Sequence, residues 1–145
     1  MSYLLDTVIL SELRKRNRNP EVVRWVQNIR ASDLFLSVVS VGEVERGIAR
    51  QKHNRPEFAA SLAEWLETVL RHYGDRILTI NVAVARRWGQ LSAQLGHDSA
   101  DLLIAATAME HGLTVVTRNV RHFEQTGVAM INPFPASPKS KIHDA

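Results

Sequence analysis

Three acidic residues, Asp6, Glu43 and Asp101, lie far apart in the sequence, and each is a candidate metal-binding or catalytic carboxylate. Asp6 directly follows the apolar run 3–5 and precedes another, 8–10, so its surroundings are predicted to be buried. A buried carboxylate without a cationic partner costs several kcal/mol even after the protein relaxes around it. A divalent ion shared with Glu43 and Asp101 would give all three carboxylates a cationic partner, and the sequence therefore predicts a metal site.

The residues available as ligands restrict both the metal and the reaction. The chain of 145 residues contains no Cys, which excludes thiolate zinc sites, iron–sulfur clusters, disulfide bonds and cysteine nucleophiles. Oxygen ligands favour hard cations such as Mg²⁺ or Mn²⁺, which keep waters that substrate phosphates can displace. Such an ion lowers the pKa of water and stabilises charge on phosphate oxygens, while a carboxylate takes the proton. The predicted chemistry is hydrolysis of a phosphodiester.

Structural explanations compete with this chemistry for each acid. The segment Ser40-Val41-Gly42-Glu43 matches a capping box, in which Ser40 and Glu43 would close the N-terminus of a helix. Asp98 and Asp101 would likewise cap a helix and complement its dipole. A purely structural explanation is harder to give for Asp6, because apolar segments flank it on both sides.

Five short apolar runs predict the strands that must position these acids. They are residues 3–6, 33–37, 76–80, 113–117 and 128–131. Helical periodicity is found from Asn19-Pro20 onward and in 56–74, 84–96 and 98–107. Because strands joined by helices pair in parallel, the predicted fold class is α/β, with a central, mostly parallel sheet of about five strands flanked by helices.

Parallel pairing of the strands is expected to bring the chemistry-bearing segments to one edge of this sheet. The carboxyl ends of parallel strands meet there, and ligands bind in the crevice between the loops. Asp6 ends the first strand, and Glu43 lies within about two helical turns after the second. Asp101 lies in the first turn of the helix 98–107, and Thr117-Arg118-Asn119 follows the fourth strand. Four distant segments are therefore expected to converge.

Composition and charge indicate a single domain. With 45% hydrophobic and 23% charged residues, the chain is typical of one globular domain, here residues 1–134, and the polar segment 135–145 is predicted to be a disordered tail. No basic leader or membrane-spanning run of roughly 18 to 20 apolar residues is found, so a cytoplasmic location without membrane contact is expected. Fourteen of the 18 cations are Arg, which suits phosphate binding, although solvated helix faces explain the same charges.

Four segments, in order, resemble the PIN-domain ribonucleases. They are Leu4-Leu5-Asp6-Thr7, residues 37–48 around Glu43, residues 100–108 around Asp101, and residues 117–123. The most similar branch is the virulence-associated protein C (VapC) and plasmid-stability type, the toxins of type II toxin–antitoxin pairs. The ending 127–134 is similar to that branch as well, so the resemblance covers residues 3–134.

The resemblance implies a Mg²⁺- or Mn²⁺-dependent endoribonuclease that forms a homodimer and is inhibited by a cognate antitoxin. A larger assembly on operator DNA would form through that antitoxin. Asp6, Glu43 and Asp101 would be the catalytic, metal-binding acids. Thr7, Ser40, Thr117 and Asp98 are expected to support these acids through hydroxyl or carboxylate groups. Asn119 is a further candidate metal ligand.

Two departures from the family pattern keep a second function open. Relatives commonly read Asp-Thr-Asn at the first motif, where this chain has Val8, and the family's fourth acid has no obvious counterpart. The alternative is a catalytically weakened or inactive module that binds nucleic acid or a partner protein.

Basic residues and histidines complete the set of candidates. Arg118, Arg121 and His122 are candidate phosphate contacts near the predicted crevice. Six histidines also raise metal-independent cleavage by two imidazoles. Only His97 and His122 fall near the crevice, so the placement of the histidines argues against that mechanism.

Overall fold

Strands and helices alternate along most of the chain in the computed structural model, which describes residues 1–135. The strands are β1 (Tyr3–Leu5), β2 (Leu34–Ser37), β3 (Ile77–Leu78), β4 (Thr114–Val116) and β5 (Met130–Ile131). The α-helices are α1 (Thr7–Arg14), α2 (Pro20–Gln27), α3 (Val38–Gln51), α4 (Pro56–Tyr73), α5 (Val82–Leu95), α6 (Ala100–His111) and α7 (Val120–Glu124). Short 3-10 turns, Ala31–Asp33 and Gly74–Arg76, lead into β2 and β3.

All strand pairs of the sheet are parallel, in the order β3-β2-β1-β4-β5. The strand β1 is central, with Leu4 opposite Phe35 on one side and Val115 on the other. The carboxyl ends of β1, β2 and β4 therefore lie side by side, which confirms the predicted α/β class and the shared edge.

Two apolar layers cover the sheet, one on each face. Leu4 and Leu5 are both fully buried, but they belong to different core clusters, because successive side chains of a strand point to opposite faces. One layer packs α1 to α4 against the sheet, and the other packs α5 to α7. Burial on both faces explains why the strands are continuous apolar runs in the sequence.

Local signals fix several helix ends where the sequence indicates them. Asn19 is the N-cap of α2, and its side-chain oxygen accepts hydrogen bonds from the N–H groups of Glu21 and Val22. Gly96 and Gly112 end α5 and α6 with φ of 75° and 64°, a left-handed conformation that favours glycine.

The structure shortens the predicted strands and corrects one helix start. The run 76–80 contributes only Ile77–Leu78 to the sheet, because its partner β2 ends at Ser37. The proposed capping box is wrong, since α3 begins at Val38 and Ser37 is its N-cap.

Two further features complete the comparison with the sequence. The apolar run 8–10 belongs to the helix α1, and the predicted tail falls, beyond Pro135, outside the described residues. No helix in residues 1–135 has the length and hydropathy needed to cross a membrane.

Candidate active site

A cleft of about 480 Å³ opens at the carboxyl ends of the central strands. Its lining combines carboxylates, hydroxyl groups and cations: Asp6, Thr7, Val8, Ser11, Glu12, Lys15, Glu43, Asp101, Arg118, Asn119, His122 and Phe134. The three acids singled out in the sequence, Asp6, Glu43 and Asp101, thus line one cleft, although they lie on different elements.

Asp6 lies at the junction of β1 and α1 and has a fixed orientation. Its side chain caps α1 by accepting the N–H of Thr7 at 2.8 Å, and its other oxygen accepts the hydroxyl of Thr117 at 2.8 Å. The Asp6 backbone N–H continues the sheet by donating to the carbonyl of Val116 at 2.9 Å. Only 3% of the residue is exposed, so Asp6 forms the floor of the cleft.

Burial raises the pKa of Asp6 from its ordinary 3.8 to about 6. The hydroxyl of Thr117 opposes this rise, and the nearby charge of Asp101 adds to it, with a smaller contribution from Glu43. Among residues 1–135, no Lys, Arg or His forms an ion pair with Asp6. Asp6 is therefore a desolvated carboxylate whose charged form is favoured by a cation bound in the cleft.

Glu43 reaches the cleft from the second turn of α3 and is held by hydroxyl groups. The hydroxyl of Thr7 donates to Glu43 Oε1 at 2.6 Å and lies 2.7 Å from the hydroxyl of Ser40. Because Thr7 has one hydroxyl proton and gives it to Glu43, Ser40 donates to Thr7. Arg46 lies 3.7 Å from the second oxygen of Glu43.

Asp101 lies in the first turn of α6 and pairs with a histidine from α7. Its Oδ2 is 2.9 Å from Nδ1 of His122, which leaves Nε2 as the second ring nitrogen of a residue that lines the cleft. Asp98 lies before the N-cap Ser99, is exposed and does not line the cleft. The structure therefore brings Asp101 to the site but not Asp98.

The segment that follows β4 contributes residues to both the floor and the rim of the cleft. Thr117 is buried and accepts the N–H of Asn119 at 2.9 Å while donating to Asp6. Asn119 lines the cleft, the placement expected of a further oxygen ligand. The guanidinium carbon of Arg118 lies 4.4 Å from the ring centroid of Phe134 at the rim.

Arg121 lies outside the cleft. It lines a neighbouring depression, together with His97, Ser99 and Gln125, and this depression shares Asp101 and His122 with the cleft. Of the three candidate phosphate contacts, Arg118 and His122 therefore line the cleft itself, and Arg121 lies beside it.

One face of α1 lines the cleft, and three residues along it, Ser11, Glu12 and Lys15, were missed by sequence reasoning. Val8, Ser11, Glu12 and Lys15 all line the cleft and follow the spacing of a single helix face. The N–H of Asn19 holds the pKa of Glu12 below its ordinary value. The helical spacing was the available signal, but it is visible only if residues 7–14 are assigned to a helix.

The donor set fits a hard divalent cation. Carboxylate, amide and hydroxyl oxygens line the cleft around the desolvated Asp6, and such ligands suit Mg²⁺-like ions. As placed, no group of three or more His, Cys, Asp or Glu side chains in residues 1–135 could hold an ion by itself. Mg²⁺ commonly takes only one or two carboxylates and keeps waters, so a complete protein cage is not required.

The sequence of residues 3–128 matches the family model described as the PIN domain. The chain belongs to the PIN-domain family. The match confirms the resemblance of the four segments, and the divalent metal that PIN-domain nucleases generally use agrees with the oxygen donors of the cleft.

Relatives match this PIN domain over nearly its whole length. The chain is 34% identical to Toxin FitB of Neisseria gonorrhoeae over 90% of its own length and 97% of that protein. It is 33% identical to VapC ribonuclease Y4jK of Sinorhizobium fredii, covering 90% and 96% of the two chains. A chain in the crystal structure of FitAcB from Neisseria gonorrhoeae superposes with a TM-score of 0.80 at 34% identity, covering 90% of this chain and 97% of that chain.

Proposed function

We propose that this PIN domain is a divalent-metal-dependent endoribonuclease and the toxin of a toxin–antitoxin pair. The main support is the convergence of Asp6, Glu43 and Asp101 on one cleft in a chain that is similar to a VapC ribonuclease. Similarity to a protein named as a toxin, FitB, supports the biological role.

Asp6, Glu43 and Asp101 would hold Mg²⁺ or Mn²⁺, with the amide oxygen of Asn119 as a further ligand. When bound, the ion supplies a lower pKa for water and stabilises negative charge that develops on the phosphodiester. The protein holds the acids in place by hydrogen bonds from Thr117, from the Thr7 N–H and hydroxyl, and, through Thr7, from Ser40. A carboxylate of this set would accept the proton of the attacking water.

Basic side chains at the rim would bind the RNA backbone. Arg118 and His122 line the cleft, and Arg121 lies in the depression beside it. Arg is well suited to phosphate because its planar guanidinium donates two parallel hydrogen bonds. Cleavage of cellular RNA would place the protein in the cytoplasm.

The proposed partners follow from the toxin role. A cognate antitoxin would bind and inhibit the protein, two copies would form a homodimer, and the antitoxin would recruit the pair to operator DNA. Coexpression and size-exclusion chromatography with the product of the adjacent gene test the first of these partners.

Cleavage by the purified, antitoxin-free protein tests the activity. We expect RNA cleavage with Mg²⁺ or Mn²⁺, its loss on chelation, and a loss of at least about 100-fold in Asp101→Asn. Asp75→Asn is the matched control, because Asp75 is exposed and does not line the cleft. Cleavage that persists at the wild-type rate in Asp101→Asn overturns the assignment.

A non-catalytic binding module is the second candidate, favoured by one observation. Val8 places an apolar side chain in the cleft where relatives commonly have an amide. This candidate predicts that RNA or the antitoxin binds while Mn²⁺ binding is undetectable by calorimetry. Mn²⁺ binding that disappears in Asp6→Asn contradicts it.

A further inference from the structure

A fourth carboxylate of the cleft, Glu12, is buried beside the proposed metal site but is not one of its ligands. Glu12 is 7% exposed and lines the same cleft as Asp6. Each of its oxygens already has a partner in the turn between α1 and α2. Oε2 accepts the N–H of Asn19 at 2.7 Å, and Oε1 accepts a hydrogen bond from Lys15 Nζ at 3.1 Å.

Glu12 fixes this turn at both ends. Lys15 is the C-cap of α1, and its N–H donates to the carbonyl of Glu12 at 3.1 Å; Asn19 is the N-cap of α2. The side chain of Lys15 is 53% exposed and lines the cleft. An ammonium group has three N–H donors, so two remain for a ligand after one is given to Glu12.

A second cation, Arg118, lies near Glu12. Arg118 also lines the cleft, and it is close enough for its charge to help lower the pKa of Glu12. Stacking on Phe134 restrains the plane of the Arg118 guanidinium, while its edge stays available to accept a phosphate. Two cations are thus held beside the acidic floor by a buried carboxylate and an aromatic ring.

From this arrangement we infer that Glu12 is a positioning residue for the substrate. It holds Lys15 at the mouth of the cleft, where Lys15 and Arg118 bind backbone phosphates of the single-stranded RNA next to the scissile phosphodiester. The inference rests on the proposed ribonuclease function and deepens it by assigning the α1–α2 side of the cleft to the RNA backbone.

Stabilisation of the fold alone is a weaker explanation of the pair. Lys15 is more than half exposed, so solvent screens its charge and its ion pair with the buried Glu12 contributes little to stability. The Asn19 N–H already uses the oxygen of Glu12 that closes the turn. The Lys15 contact is therefore better explained by a role in binding an anionic strand than by stabilisation of the turn.

Removal of the Lys15 charge tests the phosphate contact directly. In Lys15→Met, we expect the KM for a single-stranded RNA to rise about five- to tenfold with kcat within about twofold. A plot of the log binding constant against the log salt concentration should become less steep by about 0.7, the value for one phosphate contact of a single strand. Lys52→Met is the matched control, because Lys52 is the exposed C-cap residue that follows α3 and does not line the cleft.

A double-mutant cycle tests the role of Glu12. Glu12→Gln keeps an oxygen for the Asn19 N–H but weakens the hold on Lys15. The inference predicts that Glu12→Gln weakens RNA binding about threefold when Lys15 is present and not at all in Lys15→Met. Equal weakening in both backgrounds with a lower melting temperature indicates a structural role and overturns the inference. Tighter binding in both backgrounds indicates simple charge repulsion and overturns it too.

Failure of this inference is distinguishable from failure of the proposed function. If the wild type cleaves RNA and Lys15→Met retains the wild-type KM and salt slope, only the inference is wrong. If the wild type does not cleave RNA with Mg²⁺ or Mn²⁺, the proposed function is wrong; unchanged RNA binding in Lys15→Met then overturns the inference separately.

Discussion

Asp6 is the residue at which burial and charge conflict most strongly. Its pKa rises from 3.8 to about 6 in the folded chain, chiefly through burial. The folded metal-free protein therefore binds a proton in this interval that the unfolded chain has released. Stability falls as pH rises from 3.8 to about 6 and stays reduced above that range.

Asp6→Asn should stabilise the metal-free protein while it abolishes RNA cleavage. Because one pKa unit corresponds to about 1.4 kcal/mol, the gain above pH 7 is at most about 3 kcal/mol. The gain should shrink as pH falls toward 3.8 and vanish well below it, where Asp6 is protonated in both states. Urea unfolding with a chelator at pH 4 and pH 7.5 measures it, and a loss of stability at pH 7.5 contradicts the assigned cause.

Thr117 tests whether the orientation of Asp6 matters for activity. Its hydroxyl donates to Asp6 and accepts from the Asn119 N–H, so Thr117→Val should raise the pKa of Asp6 further and slow RNA cleavage about tenfold at pH 7. Thr107→Val is the control, since within residues 1–135 the buried Thr107 hydroxyl bonds only to the carbonyl of Leu103 in its own helix. Equal rates in the two variants would exclude a role for the Thr117 contact.

Residue chemistry and strand order were enough to predict which acids meet. Asp6, Glu43 and Asp101 follow predicted strands or open a predicted helix, and the structure brings all three to one cleft. Asp98 was expected to support them, but its side chain is exposed outside the cleft. Asp98 and Asp101 are three residues apart, but Asp98 precedes α6 and Asp101 lies in its first turn, so the two side chains have different surroundings. No pattern in the sequence fixes the first residue of α6 to within one position.

At the scale of elements, the buried strands were the easiest to predict. Their apolar runs are continuous because helices cover both faces of the sheet. Their lengths were overestimated because pairing stops where a neighbouring strand ends, as β3 does opposite Ser37. Glu12 was missed because Val8-Ile9-Leu10 was recognised only as an apolar run, whereas the Asp6 cap starts α1 at Thr7 and places Glu12 on a helix.

The caps of α3 and α6 offer a paired test of local stability. Ser37 accepts the N–H of Val39 at 3.0 Å, whereas Ser99 makes no side-chain capping bond. Ser37→Ala should lower the free energy of unfolding by about 1 kcal/mol, and Ser99→Ala should change it by much less. Chemical denaturation compares the two, and equal losses would show that the α3 cap contributes nothing specific.

At the scale of the whole molecule, metal binding and folding should be coupled. An ion that binds only the folded protein stabilises it by about 2.7 kcal/mol at 100 times its dissociation constant. Mn²⁺ should therefore raise the melting temperature of the wild type and leave Asp6→Asn unchanged. Thermal scans with and without Mn²⁺ check this, and an equal rise in both proteins would place the bound ion elsewhere.

The RNA cleavage rate during a Mn²⁺ titration, with wild type and Asp6→Asn side by side, tests the central claim most directly. The wild-type rate should start near zero in the metal-free protein, rise with Mn²⁺ and saturate. Asp6→Asn should stay near the metal-free rate at every concentration, although it is at least as stable as the wild type. A wild-type rate that does not depend on Mn²⁺ or Mg²⁺, or an Asp6→Asn curve that matches the wild type, would contradict a metal-dependent ribonuclease site in this cleft.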